Sequence, residues 1–118
     1  MTVYAGCKHN NGIGHQLVTK DDGLLPTGPS RGFAKHSVEF NWGYEGSGPA
    51  QLALAIILDV TGDRDIALRY YQDFKRAFVA GWGDSWQITS VEVTDWLEFE
   101  AEPHWIPSNP DRLPGDDD

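Results

Sequence analysis

The stretch Phe40-Asn41-Trp42-Gly43-Tyr44-Glu45-Gly46-Ser47-Gly48-Pro49-Ala50-Gln51 concentrates residue types that bind ligands. Two large aromatics alternate with glycines directly before an expected helix start. The unpaired N–H groups and dipole of such a terminus receive an anion. Glycines let a ligand approach the backbone, and Trp42 and Tyr44 offer ring faces to a planar group. The ligand site this predicts comprises Trp42, Gly43, Tyr44, Gly46, Ser47, Gly48 and Gln51, and its ligand is small, anionic and nucleotide-like. The segment lacks the lysine of a Walker loop and the glycine spacing of a dinucleotide fingerprint. The same composition has an architectural reading: Ser47 or Gly48 caps the helix, the glycines form a tight entry turn, and both aromatics fill the core.

Other chemistries have weaker patterns. Ser47 at a helix entry, with His36 and either Asp59 or Glu45, could be assembled into a nucleophilic triad, with backbone amides as an oxyanion hole. The GxSxG elbow is missing, and His36 is one of four histidines. Cys7, His9 and His15, completed by His36 or His104, match no standard zinc spacing and contain no CxxC pair. Glu98, Glu100 and Glu102 share a face only on a strand, and no base cluster accompanies them. The expectation is therefore no catalytic residue, no metal and no cofactor, with a small Ser47 hydrolase or transferase as the alternative.

Charge is informative through its distribution. The net charge is -9 over 118 residues, and residues 1–48 and 49–80 each balance four basic against four acidic side chains. Residues 81–118 hold ten acidic residues and one basic, Arg112, so the whole imbalance lies in the last third. No long basic stripe exists to release counterions from a nucleic-acid backbone. Arg69, Lys75 and Arg76 form only a short face whose charges have acidic partners at helical spacing. An acidic third solvates the chain or docks on a basic partner. High-salt adaptation would spread acidity over all three segments. The residues expected to make a protein contact are Glu92, Asp95, Glu98, Glu100 and Glu102.

The elements that position these groups follow from periodicity. Residues 3–6 and 15–20 read as strands, 22–23 as a turn, 24–33 as an irregular loop and 36–40 as a further extended segment. Pro49 suits a first helical turn, and residues 49–60 are apolar nearly all round, the signature of a helix covered on several sides. Gly62 stops it and Asp63 caps the next helix, expected over 63–80. There Ile66, Tyr70, Phe74 and Phe78 recur at four-residue spacing. Residues 86–88 read as extended, and Thr89-Ser90-Val91-Glu92 matches a capping box for a helix through Leu97. The expected fold class is α+β: a small antiparallel N-terminal sheet on a buried central helix, an amphipathic second helix and a short third one. Residues 1–102 form one domain, and four prolines make 103–118 an irregular acidic tail. One cysteine and an N-terminus without basic and apolar regions point to a reducing cytoplasm. No apolar run is long enough to span a bilayer.

Two segments carry a family resemblance. FNWGYEGSGPAQLALAII, followed by ALRYYQDFKRAFVA, resembles an uncharacterised family of small prokaryotic domains of unknown function, present in bacteria, archaea, plasmids and tailed phages. The resemblance runs from about Val3 to Leu97 and includes Tyr4-x-Gly6; the polar stretch near His9 and the acidic tail depart from it. It implies a mobile-element setting and no assigned activity. The expected function is a non-enzymatic binding protein for a host protein or small anionic ligand, with a counter-defence role as its concrete form and a structural or assembly component as a further alternative. Oligomeric state is not encoded in any motif.

Overall fold

The computed structural model describes residues 1–8, 16–26, 28–32 and 40–100. The expected segment 36–39 and the tail from 103 on lie outside the described residues. The sequence Ser47–Thr61 is a helix because nothing in it opposes one after Pro49, and its left-handed stop is Gly62, at φ 65°, whose N–H donates to Leu58 O. Gly48 to Ile57 are all buried, as an apolar-all-round helix requires. Pro49 occupies the first turn as expected. We call this central helix α2; a single turn, α1, precedes it at Gly28–Arg31.

Helix α3, Arg64–Ala77, starts on Asp63, whose side chain accepts from the N–H groups of Asp65 and Ile66. Its stripe buries Ala67, Tyr70 and Phe74 against α2 and against Trp96. The helix ends earlier than the expected Ala80: a 3-10 turn, Val79–Gly81, follows Phe78 and turns the chain toward the sheet.

Among the described residues four strands form one antiparallel sheet in the order β3-β2-β1-β4, with β1 at Val3–Cys7, β2 at Val18–Lys20, β3 at Gly23–Leu24 and β4 at Ser85–Thr89. The sheet is thus not purely N-terminal. β4 pairs with β1 over five residue pairs, Val3 with Thr89 through Cys7 with Ser85. β2 is shorter than the expected 15–20, and the turn sits at Asp21-Asp22 rather than 22–23. Asp21 takes a left-handed φ of 53° and clasps Val3 in both directions, its N–H donating to Val3 O and its Oδ1 accepting from Val3 N–H. The segment expected as loop from 24 onward instead begins with β3 and contains α1, where Pro29 fits the first turn.

Period-two alternation sends Tyr4, Val18, Trp86 and Ile88 into the same core as α2. The opposite face carries Val3, Ala5, Cys7, Thr19, Leu24, Ser85, Gln87 and Thr89, none of them charged. Thr89 and Glu92 form the reciprocal capping box, so the segment after β4 is helical: α4 at Ser90–Asp95, extended by a π-helical turn, Trp96–Glu100. Val93 and Trp96 bury its inner face. Among the described residues no helix is long and apolar enough to cross a membrane.

Candidate functional site

The glycine-rich entry is a loop laid over the turn at 79–83. Gly43 N–H donates to Val79 O at 2.9 Å, and the Trp42 indole N–H donates to Gly83 O at 2.9 Å. Trp42 is completely buried and meets Trp86 edge-on, with ring centroids 5.5 Å apart. Its ring is therefore fully covered, and of the two predicted stacking aromatics only Tyr44, 47% exposed, presents a ring to solvent. Gln51 is also fully buried and donates to Ser30 Oγ at 3.0 Å.

The glycines answer to the chain's own side chains. A Cβ at Gly46 would lie 2.6 Å from the Tyr44 ring, and one at Gly48 would lie 2.8 Å from Asn41 Cβ and 3.0 Å from the Tyr44 hydroxyl. Tyr44 thus lies along the first turn of α2. Gly43 holds a φ of +87°, the one position here that needs a left-handed backbone. Gly46 is the residue that precedes the helix, so neither Ser47 nor Gly48 caps it, and no side chain does. Ser47 is the exposed first residue of α2. Glu45 pairs with the nearly buried Lys75 of α3 at 3.0 Å, which ties the loop to that helix.

One residue that the sequence reading passed over completes this entry. Lys8 Nζ lies 5.7 Å from the Trp42 ring centroid and 5.9 Å from that of Tyr44, a cation held by two aromatic rings. Strand alternation was the available signal, since Tyr4, Gly6 and residue 8 share the inward face of β1 and its extension. What the arrangement offers chemically is one ammonium and one open phenol ring beside an uncapped helix start.

Ser47 and Asp59 stand at opposite ends of α2, about 18 Å apart along a helix rising 1.5 Å per residue. A triad with Asp59 is therefore not assembled. Asp59 is engaged elsewhere: Oδ2 accepts from the Tyr4 hydroxyl at 2.5 Å, and Oδ1 accepts from Lys20 Nζ at 2.9 Å. Burial and then the Asp59 hydrogen bond push the Tyr4 phenol far above its ordinary range. Replacing Tyr4→Phe should lower stability by about 1.5 kcal/mol, the low end for a bond to a charged group, because Asp59 keeps contact with water. The phenol's contribution is intact below its unfolded pKa near 10 and is lost as pH rises above that value. Urea titrations should therefore separate Tyr4→Phe from the parent chain at pH 7 and bring the two together at alkaline pH. All four histidines lie outside the described residues, and among the described residues no cluster of three His, Cys, Asp or Glu side chains could hold a metal ion.

The acidic contact residues fall on α4 and its π-helical turn. Glu92, Asp95 and Glu98 are all exposed, together with Val91 and Phe99, at 49% and 69%. Glu92 also closes the capping box, so its carboxylate has a structural duty. Glu102 lies outside the described residues, as does the side chain of Glu100.

Comparison with curated proteins and with solved structures finds no match. The model of a family of unknown function, DUF6166, matches residues 4–99, which take in the glycine-rich entry and, but for one residue at each end, the described strands and helices. The chain belongs to that family.

Proposed function

We propose that the chain is a non-enzymatic binding protein whose acidic terminal helix docks on a basic protein surface. The observation that carries this reading is the composition of one helix face. Val91 and Phe99 are exposed apolar side chains interleaved with exposed Glu92, Asp95 and Glu98, while Val93 and Trp96 anchor the other side. Apolar contacts inside a charged rim are the usual anatomy of a protein interface. Carboxylates around them steer a basic partner and reject acidic ones. The mobile-element setting implied by the family resemblance suits a protein that masks a basic, nucleic-acid-binding surface of a host protein.

The experiment places a photoreactive side chain at Val91 or Phe99 in the natural host, with Leu68 on α3 as the control position. A partner adduct of one defined mass is expected at the first two positions and not at the third. Asp95→Lys with Glu98→Lys should weaken binding of the identified partner at least about tenfold and flatten the loss with salt that the parent chain shows. The fold should be untouched, because both side chains are exposed and lysines near a helix C-terminus are well tolerated. An adduct equally strong at Leu68, or one indifferent to charge reversal, would sink the proposal.

A second reading, a small anionic ligand at the α2 entry, is favoured by one observation: Lys8 sits between the Trp42 and Tyr44 rings next to that entry. Native mass spectrometry of gently purified protein, against a denatured control, tests it. A retained small mass that disappears in Lys8→Met supports the reading, and a clean chain mass in both proteins refutes tight binding there.

A further inference from the structure

β4 ends the sheet on one side, and among the described residues no strand pairs with its outer edge. Lys8 N–H donates to Asp84 O and Ser90 N–H donates to Thr2 O, each at 2.8 Å. With the observed register, the even-numbered residues from 84 to 90 therefore face β1, and the backbone groups of Ser85, Gln87 and Thr89 point outward. Exposed edges are ordinarily guarded by lysine, proline or a bulge, and Ser-Trp-Gln-Ile-Thr contains none of these.

One end of this edge is closed. Glu92 Oε1 accepts from Thr89 N–H at 2.9 Å, so a carboxylate stands where the carbonyl of a residue opposite Thr89 would have to lie. A further strand therefore has room opposite residues 84–88 and must turn away before Thr89. Over that length the backbones of Ser85 and Gln87 each exchange a pair of hydrogen bonds with an antiparallel strand.

Charge describes the occupant. The open stretch runs between carboxylates: exposed Asp84 at one end, exposed Glu92 at the other, and exposed Asp95 one helical turn beyond Glu92 on the same side of α4. Basic residues fit opposite Asp84 and Ile88. The residue between them, opposite buried Trp86, points to the same side of the sheet as that indole, which calls for an apolar side chain. β4 itself, with Asp84 before it and no basic residue, does not have this pattern, so a second copy of the chain is not the occupant. We propose that the partner of the acidic helix presents an extended segment reading basic, any, apolar, any, basic, and that this segment adds antiparallel to β4 opposite residues 84–88. Resting on the docking reading above, this assignment makes α4 and the edge of β4 one continuous surface, joined at the Glu92 carboxylate.

The probe is a synthetic peptide, Lys-Thr-Val-Thr-Lys amide, titrated into the full chain to millimolar concentration and followed by amide exchange. Its amino terminus is left free, because an acyl carbonyl there would meet Glu92. Exchange at the Ser85 and Gln87 N–H groups should slow at least about tenfold in the complex, while that at Thr89, already held by Glu92, should not change. Methylating both threonine amides of the peptide removes the donors aimed at β4 and should abolish binding. Methylating the valine amide, which points away from β4, should leave binding intact. Asp84→Asn with Glu92→Gln should weaken the complex about fivefold, and the glutamine still accepts from Thr89 N–H, so the helix start is kept. A peptide that binds without slowing Ser85 and Gln87, or whose threonine-methylated form binds equally well, overturns the added strand and leaves the docking of α4 standing. Absence of binding at millimolar concentration also overturns it, while the cross-links at Val91 and Phe99 judge the docking of α4 separately.

Discussion

Trp42→Ala should lower the unfolding free energy by about 3–5 kcal/mol, a large part of the roughly 5–15 kcal/mol available to a domain of this size. The indole is fully buried, packs edge-on against Trp86 and holds the turn at Gly83 through its N–H. Truncation removes the ring contacts, leaves a cavity and breaks the hydrogen bond to the Gly83 carbonyl. Trp42→Phe, which keeps a ring in place, should recover more than half of that loss. Urea midpoints with unchanged slope would measure both. A residue whose main duty was to stack on a ligand would behave in the opposite way, with little change in midpoint when no ligand is present.

The second large effect is at Gly6. A Cβ built there would lie 2.6 Å from Trp86 Nε1, 2.8 Å from Trp86 Cε2 and 2.9 Å from Trp42 Cη2. Neither indole is free to retreat. Trp86 is stacked on Trp82 at 3.9 Å between centroids, and Trp42 is pinned by its hydrogen bond to Gly83. Gly6→Ala should therefore cost about 1–3 kcal/mol, the range for overpacking a filled core. It should also change the near-ultraviolet circular dichroism that the indoles dominate. Gly46→Ala makes the useful contrast. Its added methyl also meets a ring at 2.6 Å, but that ring is the half-exposed Tyr44, which can swing toward water. A loss at Gly46 as large as that at Gly6 would contradict this account of which rings are fixed.

Elements whose evidence is local were legible in the sequence. The apolar run of α2 and the four-residue spacing of Ile66, Tyr70, Phe74 and Phe78 declare themselves within one or two turns, and the Thr89–Glu92 box fixed the choice of helix over strand after residue 89. The partner of β1 was not legible, because β4 lies some eighty residues away and no periodicity records which strands meet. The end of α3 was misread for a related reason: Phe78 still packs on Trp96 after the helix has tightened into a 3-10 turn, so the apolar spacing outlasts the helix. At the glycine-rich entry, composition could not separate Trp42 from Tyr44. One is core and one is surface, and only the path of the loop over residues 79–83 decides which. The acidic face was legible because charges on α4 sit where its two buried residues, Val93 and Trp96, leave them.

The junction between β4 and α4 has no connecting residue: the strand ends at Thr89 and the helix begins at Ser90. The chain's beginning is fastened to that junction, with Thr2 N–H donating to Ser90 Oγ at 3.1 Å and Ser90 N–H donating to Thr2 O. A reporter fused at Met1 would consequently hang beside the first turn of α4, within reach of whatever binds there. It would shade that face from a large partner, and a small fluorophore at the same point would serve as a proximity probe for it. Amide exchange at Thr2 and Ser90 should rise and fall together, since each N–H donates to the other residue.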